Sequence, residues 1–206
     1  MTERETKVQG SRHAAWMLGA AAALSVLAGA APARAGGAGV QLAGNVTASP
    51  AVVERALHRH ALKMLDGSKQ TLAEASGQVV VINFWATWCR PCQRELPALQ
   101  QLANDIAPKG GRVLAVAIDS DARNVMRFVK TNELLGLPVA CDGPAGLARE
   151  LDLQAVPLTL VLDRNGAVAW CSPRSDEAGL AETRAAVQRL LAQPAPTPAV
   201  AGGDAR

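Results

Sequence analysis

The run VVVINFWA (residues 79–86) leads straight into TWCRPC, placing Cys89 and Cys92 where a strand gives way to a helix. No other feature narrows the fold as much. A continuous β-branched and aromatic run fits a strand covered on both faces, the setting of a parallel strand in an α/β sheet. Behind it, RPCQRELPALQQLANDIA repeats Leu96, Leu99, Leu102, Ala103 and Ile106 at helical spacing. Pro91 suits the first helical turn, whose N–H groups have no intrahelical partner. Pro97 lies deeper and is expected to bend the helix.

The spacing of the pair sets both sulfurs on one face of the first turn, close enough to bond. Cys89 stands at the terminus, before unpaired N–H groups and the positive end of the helix dipole. That setting favours a thiolate and draws its pKa below the free value of about 8.5. An exposed Cys89 is therefore the expected attacking sulfur, and a more deeply placed Cys92 the resolving one. Two other uses of such a pair exist. A zinc site needs further ligands; Cys141 and Cys171 stand singly, and only His58 and His60, far upstream, would complete a set. A purely structural bond would close a loop too short to remove much chain entropy.

The rest of the chain alternates. ALKMLDGSKQTLAEASG, from Ala61, carries an Asp-Gly turn between apolar segments, the signature of a β-hairpin. VLAVAIDS (113–120) reads as a second buried strand, followed by a helix through Leu135 capped by Ser120 or Asp121. LPVACD (137–142) reads as a short strand and PAGLARELD as a short helix; LTLVLD, DRNG and AVAWCS then form a hairpin over 158–172. Asp176 opens a last helix that ends near Leu191. This order predicts an α/β sheet, mostly parallel, flanked by helices.

Both ends differ from the body. A basic start (Arg4, Lys7, Arg12, His13) precedes AAWMLGAAAALSVLAGAA, and Ala33-Arg34-Ala35 follows. Residues 1–35 thus read as a cleaved secretory signal, with an uncleaved membrane anchor as the alternative. No twin arginine is present, so general secretion is the simpler route. Export to a periplasm matters because disulfides persist there. Residues 36–60 read as a flexible leader, 61–192 as the folded domain and 193–206 as a Pro/Ala/Gly-rich disordered tail. Residues 1–35 hold four of the 21 basic and two of the 18 acidic residues, leaving 17 against 16. So balanced a body has no electrostatic footprint for nucleic acid.

FWATWCRPCQRELPAL resembles the active-site segment of the thioredoxin superfamily, and within it the exported TlpA/ResA-like branch. WCxPC followed by Glu95 and Pro97, the upstream hairpin, an extra helix–strand unit at 122–142 and Val156-Pro157 carry the resemblance. It implies a thioredoxin-like fold with an N-terminal hairpin and a central helix–strand insertion. It also implies dithiol–disulfide exchange at Cys89 and Cys92, without cofactor or metal. Expected partners are protein disulfides and a membrane thiol donor that restores the dithiol, in the service of cytochrome c or oxidase assembly. The alternatives are an oxidase of the same fold, or a metal-binding or metal-delivery module using Cys89 and Cys92.

Residue by residue, the resemblance implies a cis Val156-Pro157 bond against the disulfide and a substrate-binding role for Trp88, Val156 and Pro157. It gives Glu95 an acid–base role beside Cys92. Asn83 stands where ordinary thioredoxins keep a buried Asp, which moves proton handling towards Glu95. Ala155 and Leu158 replace the usual Gly and Thr around Val156-Pro157, predicting a more apolar substrate groove. In this topology Cys141 and Cys171 fall near opposite sheet edges, too far apart to bond to each other.

Overall fold

In the computed structural model, residues 42, 44–143 and 146–195 are described. The expected signal segment and nearly all of the tail lie outside them. No helix among the described residues is long and apolar enough to cross a membrane.

The folded unit begins earlier than the sequence suggests. Residues Pro50–Arg59 form helix α1 rather than flexible leader. Pro50 occupies the first turn, and Val53, Ala56 and Leu57 bury one apolar stripe while Glu54, Arg55, His58 and Arg59 face outward or sideways. The Glu54 carboxylate accepts the backbone N–H of Val168 at 2.9 Å, covering part of a sheet edge. The hairpin of β1 (Ala61–Lys63) and β2 (Lys69–Thr71) follows, with Gly67 at φ 89 in its turn.

The main sheet holds β3 (Val79–Trp85), β4 (Gly111–Ala117), β5 (Val139–Cys141), β6 (Leu158–Leu162) and β7 (Val168–Ser172). Their spatial order is β5-β4-β3-β6-β7. Helices α2 (Arg90–Ile106), α3 (Ala122–Thr131), α4 (Leu147–Glu150) and α5 (Glu177–Leu191) complete the fold. Asp121 and Asp176 cap α3 and α5 through their side chains, as such residues do at N-termini. Helix α3 stops at Thr131, short of Leu135, which is 69% exposed. Helix α2 runs unbroken through Pro97.

The sheet is mixed rather than mostly parallel. β3 pairs in parallel with β4, and β4 with β5, whereas β3–β6 and β6–β7 are antiparallel. Helices α2 and α3 carry the chain back along the sheet between strands and so produce parallel pairs. Helix α4, of only four residues, does not. β6 therefore starts at the end where β5 stopped and runs the other way.

β3 is buried along its whole length, and its alternation sorts two cores. Val80, Ile82 and Phe84 pack with α1, the hairpin and α4; Val79, Val81 and Trp85 pack with α2, α3 and α5. Asn83 points to the second face, beneath α2. Cys141 lies on β5 and Cys171 on β7, the opposite edges of the sheet, and they are not joined.

Candidate functional site

The site forms where β3 ends and α2 begins. Cys89 is the N-cap residue of α2, and its Sγ accepts the backbone N–H of Cys92 at 3.3 Å. The two cysteines form a disulfide. One of the helix's otherwise unpaired donors thus points at the sulfur, a setting that stabilises a thiolate once the bond opens. Cys89 retains 5% exposure and Cys92 none. Cys89, expected to be exposed, is thus nearly covered. The order of access between the two still holds.

The peptide bond Val156-Pro157 is cis, and the Val156 carbonyl oxygen lies 3.8 Å from Cys89 Sγ. This brings the start of β6 against the disulfide. Val156 is half-buried, Pro157 buried, and Trp88, which precedes Cys89 in the chain, is 67% exposed. The more apolar groove expected from Leu158 is not formed by that residue. Leu158 is fully buried in the α1-side core, opposite Phe84, while Ala155 stays exposed.

Beneath the disulfide lies a sealed polar group. Glu95 is 1% exposed and shares the inward face of α2 with Cys92. The Asn83 side-chain amide donates to Glu95 Oε1 at 2.9 Å and to Thr159 Oγ1 at 3.0 Å. Asn83 and Thr159 are register partners across β3 and β6, so strand pairing itself aims both at α2. Glu95 Oε2 has no partner among the described residues. Burial of the carboxyl raises its pKa from the ordinary 4.5 to about 7, against the smaller opposing effect of the Asn83 hydrogen bond. A carboxyl poised there can take up or release a proton near neutral pH.

The loop before Cys89 is held by residues that the sequence did not single out. The Asp119 carboxylate accepts both the backbone N–H of Thr87, at 3.0 Å, and its hydroxyl. Gln93 Nε2 donates to the Thr87 carbonyl at 2.6 Å. The two histidines considered for a metal set lie elsewhere. His60 sits by Asp142 at 3.4 Å and Glu150 at 3.7 Å. His58 abuts Gly166, in the turn at the end of β6 remote from Pro157.

A strand, a capped CxxC helix and a cis-proline strand start converge at one end of a mixed sheet. The AhpC/TSA family matches residues 53–171 of this chain, well over half of it. The chain belongs to the AhpC/TSA family. The match begins inside α1 and ends in β7, so this family's shared region covers the site and all of the main sheet but Ser172.

Among curated relatives, the thioredoxin-like protein YneN of Bacillus subtilis is 36% identical over 110 residues, covering 52% of this chain and 63% of that one. The thiol-disulfide oxidoreductase ResA of Bacillus cereus is 33% identical over 104 residues, covering 50% and 60%. This chain thus spans less than two thirds of the length of these relatives. Among solved structures, a secreted thiol-disulfide isomerase of Corynebacterium glutamicum superposes with a TM-score of 0.58 at 27% identity, covering 65% of this chain and 83% of that one. A thiol:disulfide interchange protein of Chlorobium tepidum gives 0.54 at 27% identity, covering 64% and 92%. The fold is thioredoxin-like.

Proposed function

We propose that this protein is an exported thiol:disulfide oxidoreductase that reduces protein disulfides through Cys89 and Cys92. The observation that carries the reading is the Cys89–Cys92 disulfide at the start of α2, facing the Val156 carbonyl. In the dithiol form, the Cys89 thiolate attacks one sulfur of a substrate disulfide. A mixed disulfide forms, and the other substrate sulfur leaves as a thiolate that takes up a proton. Cys92, losing its proton towards Glu95, then attacks Cys89 Sγ and expels the second substrate thiol. Two electrons pass to the substrate, and the Cys89–Cys92 bond returns. Trp88, Val156 and Pro157 form the rim against which substrate backbone lies.

Another thiol protein, a membrane electron donor, restores the dithiol. The periplasmic setting follows from the sequence of residues 1–35 and accords with the secreted structural neighbour. The resemblance to the ResA-like branch extends the reading to cytochrome c or oxidase assembly. Turnover of a protein disulfide by wild type, abolished in Cys89→Ser, tests the activity. A reduction potential near about −270 mV supports the reducing direction, and one near about −120 mV makes the protein an oxidant.

A further inference from the structure

We infer that Asp119 is a positioning residue for this site: its carboxylate ties Thr87 to the end of β4 and so holds the loop that presents Trp88 and Cys89. The inference rests on the thiol-exchange reading above and adds the group that keeps the attacking sulfur in place.

Residues 86–88 connect a buried strand to a helix whose N-cap residue, Cys89, carries the chemistry. Trp88 is 67% exposed and cannot anchor the loop. Thr87 anchors it, with every polar group it has. Its N–H and hydroxyl go to the two oxygens of Asp119, and its carbonyl accepts from Gln93 one turn into α2. Asp119 is itself fixed and 8% exposed. The preceding residue, Ile118, donates its N–H to the Trp85 carbonyl at 2.9 Å, and Cys141 Sγ donates to the Asp119 carbonyl at 3.6 Å. Bonds to a nearly buried carboxylate are among the stronger hydrogen bonds, and removing the acceptor strands two donors.

The clamp matters most when the disulfide is open. The covalent tie between Cys89 and Cys92 is then gone, and the Thr87 bonds must keep Cys89 in its capping position. A released loop draws Cys89 Sγ away from the Cys92 N–H and the helix dipole, so the thiolate loses stabilisation. A rival account gives Asp119 only its charge, which repels the thiolate through space. The two accounts predict opposite signs for Asp119→Asn: loss of the clamp raises the Cys89 titration midpoint, and loss of a repelling charge lowers it. The charged and titratable groups that follow Cys89 in α2, Arg90, Cys92, Arg94 and Glu95, are unchanged in every variant, and Val156 and Pro157 on the facing side are neutral.

The experiment measures the pH dependence of Cys89 alkylation in the reduced full-length protein. It compares wild type, Asp119→Asn, Thr87→Val, Thr87→Ser and the double variant Asp119→Asn/Thr87→Val. We expect the midpoint to rise in both Asp119→Asn and Thr87→Val by about half a pH unit, which lowers the labelling rate about threefold below the midpoint. Thr87→Ser keeps the hydroxyl and matches wild type. The double variant goes no further than the stronger single one, as for two members of one interaction. Anything other than a rise in both single variants overturns the inference, including lower thermal stability with an unmoved midpoint. Should Asp119→Asn fail to fold, Thr87→Val against Thr87→Ser decides alone. Turnover of a protein disulfide by wild type is measured separately, so failure of the oxidoreductase reading is distinguishable from failure of the clamp.

Discussion

Asn83 donates its side-chain amide to Glu95 across 2.9 Å, in a place where neither residue exceeds 1% exposure. A neutral donor faces a carboxyl that burial has pushed to about 7. The folded protein therefore holds a proton on Glu95 at pH values where the unfolded chain has released it. Between about 4.5 and 7 the native state binds one proton more than the unfolded state, so stability falls as pH rises. The slope is about 1.4 kcal/mol per pH unit, and the loss across the window is on the order of 3 kcal/mol. Urea unfolding of the oxidised protein at pH 4.5, 6 and 8 measures it. Glu95→Gln should flatten this dependence and slow resolution of the mixed disulfide on the order of a hundredfold. A variant with wild-type stability and exchange profiles would reduce Glu95 to a packing residue.

Asn83→Leu separates the hydrogen bond from the burial. The bond is what restrains the rise in the Glu95 pKa, and leucine removes it at similar volume. The pH at which stability stops falling should therefore move upward from about 7. Stability titrations of the two proteins side by side would show it; coincident upper limits would mean that Asn83 has no electrostatic hold on Glu95.

Cys89 should react first when the reduced protein meets limiting alkylator at neutral pH. Its sulfur caps α2 and keeps the pair's only exposure, whereas Cys92 has none. Burial raises the Cys141 thiol, helped by the charge of Asp119, so that residue should label slowly. Peptide mapping after a short pulse decides it, and earlier labelling of Cys92 would reverse the assigned roles. Cys92→Ser should accumulate the mixed disulfide on Cys89.

What was legible in the sequence was chemistry held in neighbouring residues. Cys89, Pro91 and Cys92 announce a helix start because capping and first-turn requirements are local. Pro157 was legible only through resemblance, since nothing around it distinguishes a cis from a trans bond. The partner of Glu95 left a fainter trace: Asn83 and Thr159 are lone polar residues in the otherwise apolar runs VVVINFW and LTLVL. Their meeting depends on β3 and β6 pairing in one register. Asp119 read only as the end of the strand run VLAVAIDS, because its partner, Thr87, lies 32 residues away. The direction of β6 depends on how far a short helix carries the chain, which periodicity does not encode.

Helix α1 was the largest omission, and it supports a test of where the domain begins. A flexible leader would tolerate any substitution at Leu57 or Val52. In the structure Leu57 is fully buried and joins the core on the α1 face of the sheet, while Val52 is 37% exposed. Leu57→Ala should therefore cost about 2–5 kcal/mol, the range for truncating a buried leucine. Val52→Ala should stay within about 0.5 kcal/mol of wild type. The disulfide belongs to the other core, across the sheet. Leu57→Ala should thus lower the urea midpoint while leaving the pH midpoint of Cys89 alkylation unchanged, because the sheet separates the cavity from α2. Equal urea midpoints for Leu57→Ala and Val52→Ala would return residues 50–59 to the leader.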